Sequence, residues 1–388
     1  MTTLLPSCHE PYELGCAEAA HLRGTWYEID LGAIRHNYCQ LRSLLPWNVS
    51  IYACLKRNAY GCGAGPVAKA LASERVDGFA VASLLDAMSI RKTGAEQPIL
   101  LYPGALPSAG LMIEALDLTV SVSSIDELER WRSAMTRTRA FIKVDLGFFR
   151  AGASPKEVGH LLAAANAYSD VEIAGIYAHM SELPASRPSD AAMQLRRMRA
   201  VLAEADVRGD RPTVAMMSST EGVLTYPEMD MDAVDPGALF VGLPESDAPA
   251  RRVILQPALK AICTTVVAVK HLDASLGPVP DLPGFRAGMK LGVLGMGWGD
   301  GLPRNIPLGA EALIGGSRAR LLPPAHLEHV RLDLSNVPDA HFGDTVVLLG
   351  RQGDETVTHE EIASVWGTDV IGLYAGLRDH IPRIYTGT

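Results

Sequence analysis

The chain has 388 residues, of which 48% are hydrophobic and 20% charged, and a formal net charge of −9. That length suits two ordinary domains, or one barrel with a smaller domain beside it. The acidic balance and the lack of basic clusters argue against nucleic acid and anionic membrane surfaces as partners, and no stretch approaches the roughly 20 apolar residues of a membrane span.

Residues 1–25 carry neither a basic segment nor a long apolar core. They read as an N-terminal extension rather than a secretory signal, and they are expected to pack on the second domain. The cysteines, Cys8, Cys16, Cys39, Cys54, Cys62 and Cys263, form no CxxC or Cys/His cluster with zinc-ligand spacing. That pattern fits a reduced, cytoplasmic setting and predicts no metal site.

Residues 26–247 form the first predicted domain. Within it, "VSIYACL", "GFAVAS", "PILLY", "LTVSVSS", "AFIKVDLG", "EIAGIYAHM", "TVAMMSS" and "GALFVG" follow one another as short apolar runs. Helical spacing fills the gaps, as in Gly65 to Ser73, Asp126 to Met135, Pro155 to Ala167 and Asp190 to Ala205. Runs without polar alternation suit strands buried on both faces, and intervening helices make the sheet parallel. Eight such units close a (β/α)8 TIM-type barrel; the alternative is a doubly wound sheet. From 248 to 388 the texture changes to strand-like runs separated by Gly/Pro-rich turns, which predicts a β-rich domain. Its one clear helix is "THEEIASVWG", where Thr358 and Glu361 are spaced as a capping box.

One residue sits awkwardly. In "ACLKRNAYGCG", Ala53 to Gly63, an apolar strand ends in Lys56. A strand-end lysine in a barrel either snorkels to solvent or is put to chemical use, and a desolvated amine is what Schiff-base formation requires.

The motif resembles the signature of the alanine racemase family, fold type III of the pyridoxal phosphate (PLP) enzymes. The similarity continues in order through "EIDLGAIRHN" (Glu28 to Asn37, resembling the family's entry helix), "IKVDLGFFRAG" (Ile142 to Gly152), "GIYAHMS" (Gly175 to Ser181), "DAVDPGALFVG" (Asp232 to Gly242) and the closing "IPRIY". The resemblance implies PLP as cofactor, an amino acid as substrate, and a homodimer whose active sites are shared between subunits. It implies Lys56 as the Schiff-base lysine and catalytic base, and Tyr60, Thr220, Gly237 and Ala238 around the phosphate. It further implies His179 against the pyridine ring and Arg150 at the substrate carboxylate. Lys143 corresponds to a lysine that is often carbamylated, with an ordinary ion pair to Asp145 as the alternative.

The departures from the family pattern are informative. Trp298, in "MGWGDGLPRN", occupies the position of the second catalytic base, a tyrosine, and an indole N–H does not titrate usefully. Asp235 replaces an arginine beside the pyridine nitrogen, and a carboxylate favours the protonated ring. "HLEH", His326 to His329, replaces a further pocket segment, with His326 a candidate acid/base and Leu327 a pocket residue. Asp379 stands where a phosphate-binding tyrosine is expected, and Tyr374 is the candidate substitute. The expectation is therefore a PLP enzyme acting at Cα with aldolase or lyase chemistry. The alternatives are a racemase or epimerase with a relocated second acid, and a non-catalytic PLP-binding protein.

Overall fold

The computed structural model describes residues 23–181, 188–244, 249–273, 275 and 277–387. The chain divides into two units, Gly32–Pro257 and the pair Met1–Leu31 with Ala258–Thr388.

The division differs from the predicted one because the strand β1 (Thr25–Asp30) runs antiparallel to β10 (Leu259–His271). The segment resembling an entry helix is thus a strand followed by a helix, Leu31–Leu44. Strand pairing across more than two hundred residues leaves no local mark, so "EIDLGAIRHN" reads as one element although the boundary between the two units falls inside it along the chain. Most of the predicted extension, 1–22, lies outside the described residues.

The Gly32–Pro257 unit is a closed barrel of β2 (Ser50–Cys54), β3 (Gly78–Val81), β4 (Ile99–Leu101), β5 (Leu118–Val122), β6 (Thr138–Val144), β7 (Val171–Ala178), β8 (Val214–Ser218) and β9 (Ala233–Val234). Every neighbouring pair is parallel, and β9 returns to β2. The predicted eighth strand, "GALFVG", is instead a 3-10 turn, Ala238–Val241, and the closing strand is only the two residues before Asp235. A buried apolar run does not reveal its own backbone form. Here the chain turns at Gly237 and stays buried while coiled.

Large side chains fill the barrel interior, Tyr52, Leu100, Phe141, Tyr177 and Met216 among them. Two strand glycines make room for their rings. A Cβ on Gly175 would lie 2.3 Å from Phe141, and one on Gly78 would lie 2.6 Å from Tyr52. Glycine inside a strand therefore marks close approach here, not weakness.

The other unit carries a nine-stranded sheet. Its remaining strands are β11 (Lys290–Leu294), β12 (Glu311–Ile314), β13 (Ser317–Leu322), β14 (Val330–Asp333), β15 (Thr345–Gln352), β16 (Glu355–Val357) and β17 (Arg383–Thr386). β10 is its longest strand and pairs with β1, β11 and β15. The predicted capping box opens the helix His359–Trp366: the Thr358 hydroxyl accepts from Glu361 N at 3.2 Å, and Glu361 Oε2 accepts from Thr358 N at 2.7 Å.

Candidate functional site

Lys56 follows the last residues of β2, and the backbone after it reverses hand. Arg57, Asn58, Ala59 and Tyr60 all adopt left-handed dihedrals, with φ between 52° and 56°. For residues with a Cβ this conformation costs roughly 1–2 kcal/mol each, so the surroundings must impose it. Asn58 is held at both ends: its N–H donates to Asp86 Oδ1 at 2.9 Å, and its Oδ1 accepts from Ala64 N at 2.7 Å. The N–H of Gly61 closes the turn on Arg57 O at 2.9 Å. The buried Tyr60 ring lies 5.8 Å from Lys56 Nζ.

That turn brings the Tyr60 hydroxyl against Gly237. A Cβ on Gly237 would sit 2.3 Å from it, so the backbone approaches the phenol as only glycine allows. Beside it the Thr220 oxygen accepts from Gly237 N and from Leu239 N, each at 3.2 Å. Both its lone pairs are then used, leaving the Thr220 O–H as a donor to an outside acceptor. The Tyr60 and Thr220 hydroxyls converge here on one backbone turn, groups suited to donate to an anion.

Asp235 immediately precedes this turn and is buried. Its Oδ2 accepts from the Tyr102 hydroxyl at 2.5 Å, while Oδ1 is buried without a partner. Burial pushes its carboxyl up to about 7, against the opposing pull of the Tyr102 hydrogen bond, Lys56 and Lys143. Ser218 Oγ, whose carbonyl receives the Asp235 N–H at 2.9 Å, is a second buried and unpartnered polar atom. An acceptor of this kind calls for a donor from a bound group.

A cleft near β6 and β7 is lined by Lys143, Asp145, Phe148, Arg150 and His179. Asp145 Oδ1 accepts from the N–H groups of Gly147, Phe148 and Phe149 at 2.9, 2.7 and 3.2 Å, which shapes the loop bearing Arg150. The alternative of an ion pair between Lys143 and Asp145 is not realised, since that carboxylate spends itself on backbone. Lys143 lies 5.5 Å from the Tyr177 ring, and burial, then Arg150, hold its amine below the ordinary lysine range. Arg150 stacks at 4.1 Å over Phe148, whose ring is 5.8 Å from that of His179. Burial, followed by the positive charges of Lys56, Arg150 and Lys143, pushes His179 down to about 4. It is a neutral imidazole at neutral pH.

The barrel unit thus gathers Lys56, Tyr60, Lys143, Arg150, His179, Thr220, Asp235, Gly237 and Ala238, with Tyr102 added, a residue that nothing in the local sequence singles out. Trp298, His326 and Leu327 belong to the other unit, where they meet one another. The N–H groups of Trp298 and Gly299 donate to the carbonyls of His326 and Leu327, each at 2.9 Å, and the Trp298 side chain is exposed. Tyr374 corrects a prediction. It is fully buried within that unit, its hydroxyl accepting from Leu259 N at 3.2 Å and lying 3.4 Å from His359 Nε2, so its phenol serves the core rather than a phosphate. Asp379 pairs with Arg383 at 3.5 Å. Among the described residues no helix is long and apolar enough to cross a membrane, and no group of His, Cys, Asp or Glu could hold a metal ion.

A parallel barrel with a strand-end lysine, an anion cradle and an appended β-rich unit defines a cofactor-binding enzyme class. The family model "Alanine racemase, N-terminal domain" matches residues 29–245, and "Alanine racemase, C-terminal domain" matches residues 284–385. The chain belongs to the alanine racemase family, whose members use pyridoxal 5′-phosphate. An alanine racemase of Symbiobacterium thermophilum is 32% identical over 94% of this chain and 98% of its own length. A catabolic alanine racemase of Pseudomonas putida is 31% identical over 92% and 98%. Among solved structures, alanine racemase from E. faecalis superposes with a TM-score of 0.84 at 27% identity, covering 94% of this chain and 99% of that one.

The residues present fit the cofactor. The Gly237 backbone lets the Tyr60 hydroxyl approach it closely, the Thr220 O–H has a proton to give, and Asp235 Oδ1 waits for a donor.

Proposed function

We propose that this chain is a PLP-dependent enzyme acting at Cα of an amino acid by aldolase- or lyase-type chemistry, with Lys56 carrying the cofactor and moving protons on one face only. The observation that carries this reading is the buried Asp235 carboxylate, tied on one oxygen and unpartnered on the other, at a position where the family pattern has arginine. When bound, the cofactor supplies an electron sink for the charge left on Cα. A carboxylate beside its ring nitrogen favours the protonated form, which deepens that sink.

The remaining roles follow from the residues themselves. Gly237, Ala238, Thr220 and Tyr60 bind the phosphate, and the guanidinium of Arg150 matches a substrate carboxylate. The neutral His179 offers an uncharged ring face to a planar heterocycle. Lys56 accepts and returns a proton at Cα from its own side. Trp298 provides no titrating group for the other side, so the products are stereospecific. The working form under this reading is a homodimer, each β-rich unit serving the partner's barrel, with a sedimenting mass near twice 41.5 kDa.

Family membership favours a second reading, racemisation with a relocated acid, for which exposed His326 beside Trp298 is the candidate. Proton NMR of the PLP-loaded enzyme in D2O across an amino-acid panel separates the two. Cα–H exchange with retention, or appearance of a carbonyl product, supports the first reading. Exchange with inversion overturns it in favour of racemisation. Absence of any PLP binding by the purified chain refutes both.

A further inference from the structure

We propose that Tyr102 is a positioning residue of this site: its phenol clamps one oxygen of Asp235 and so presents the other as the single acceptor for the cofactor's ring nitrogen. The inference rests on the reading of Asp235 above, and it concerns a residue that the resemblance does not mark.

Three strands hold the phenol in place. Tyr102 directly follows β4, and its N–H donates to Val81 O of β3 at 2.8 Å. Its ring lies 5.8 Å from that of Tyr177 on β7. Tyr177 is fixed in turn through its hydroxyl, 2.7 Å from Ser121 Oγ on β5, and that Oγ also donates to Leu101 O at 2.9 Å. The phenol therefore meets Asp235 Oδ2 from a fixed direction, at a separation of 2.5 Å that belongs to the charge-assisted range.

The groups facing this pair make the roles unequal. Around Tyr102 stand Asp235, Cys54 and Tyr177, and burial, reinforced by Asp235, keeps its hydroxyl far above the ordinary phenol range. It remains a donor. Around Asp235 stand Tyr102, Lys56 and Lys143, and of these only Tyr102 makes a hydrogen bond to the carboxylate. Remove that donor and the buried carboxylate loses the side-chain hydrogen bond that opposes its desolvation, which favours the protonated carboxyl. A protonated carboxyl turns from acceptor into donor, and the ring nitrogen loses the partner that keeps its proton.

The test compares Tyr102→Phe, Asp235→Asn and the wild-type chain, each loaded with PLP labelled with ¹⁵N at the ring nitrogen. Nitrogen chemical shift and cofactor Kd are the readouts. The wild-type shift is expected in the protonated range. Both variants are expected to move it toward the unprotonated value and to weaken cofactor binding roughly tenfold, the scale of a hydrogen bond to a charged group. Leu162→Ala, at a buried position on the barrel unit's helix Val158–Asn166 and outside the chain of contacts that holds Tyr102, is expected to leave the shift in place, so a general disturbance of the barrel is recognisable. If Asp235→Asn moves the shift and Tyr102→Phe does not, the role of Tyr102 is refuted while the reading of Asp235 stands. If neither moves it, Asp235 does not face the ring nitrogen and both proposals fall.

Discussion

Gly237→Ala tests whether the phosphate cradle depends on close approach. The added Cβ would lie 2.3 Å from the Tyr60 hydroxyl, 2.8 Å from Cε2 and 2.9 Å from Cζ, all well inside van der Waals contact. Tyr60 cannot simply swing aside, because it is buried and ends the left-handed turn after Lys56. Overpacking of this kind costs about 1–3 kcal/mol. At about 2 kcal/mol, a unit of this size loses roughly 4–8 °C in Tm. Cofactor binding is expected to weaken as well, since the added methyl occupies the place where backbone and phenol converge. Tyr60→Phe removes the shortest clash and leaves the two ring contacts. The Gly237→Ala penalty should then shrink in the Tyr60→Phe background, giving a coupling of about 0.5–1 kcal/mol, the low end of the range for touching residues because two ring contacts remain. The assays are thermal melting of the cofactor-free protein and PLP titration by fluorescence. A Gly237→Ala protein with unchanged Tm and unchanged PLP affinity would refute the reasoning. Additive penalties would place the strain elsewhere than at Tyr60.

Three further outcomes are expected. Asp235 has a folded value of about 7 against an ordinary 3.8, so the folded cofactor-free protein keeps a proton that the unfolded chain releases. The stability this gives is present below the ordinary carboxylate value and lost as pH rises through about 7; melts of wild type and Asp235→Asn across that window should diverge, and parallel curves would contradict the assignment. Thr358→Ala removes the cap of the helix His359–Trp366 and should cost about 1 kcal/mol in urea unfolding with an unchanged m-value. Trp298→Tyr supplies a titrating phenol and should introduce Cα–H exchange with inversion. A PLP-loaded variant without inversion would show that the indole is not what silences the second face.

The barrel was legible in the sequence because parallel strands covered on both faces are written as unbroken apolar runs. Its closure was not, since "GALFVG" has the same composition whether extended or coiled, and only Ala233–Val234 completes the wall. β1 was assigned to the wrong unit because its partners, β10 and β17, are distant in sequence. Lys56, Arg150, His179 and Asp235 could be singled out through motifs that keep a fixed register. Tyr102 could not, because its role arises where β4 meets the residue after β9, and an isolated tyrosine at a strand end has no pattern to announce it. Tyr374 failed for the opposite reason: a tyrosine near the expected position suggested a ligand, whereas burial and two hydrogen-bond neighbours make it a core residue.

The reversed turn after Lys56 also inverts the usual rules of tolerance to substitution. Elsewhere in a folded chain glycine is the disruptive replacement and a branched side chain the conservative one for a barrel wall. At Arg57, which is exposed and left-handed, glycine relaxes the native backbone while valine or isoleucine opposes it. A deep mutational scan would therefore find the chain's preferences turned over for a few residues beside its principal lysine. That local inversion would mark the site by backbone handedness alone, without reference to any side chain that performs chemistry.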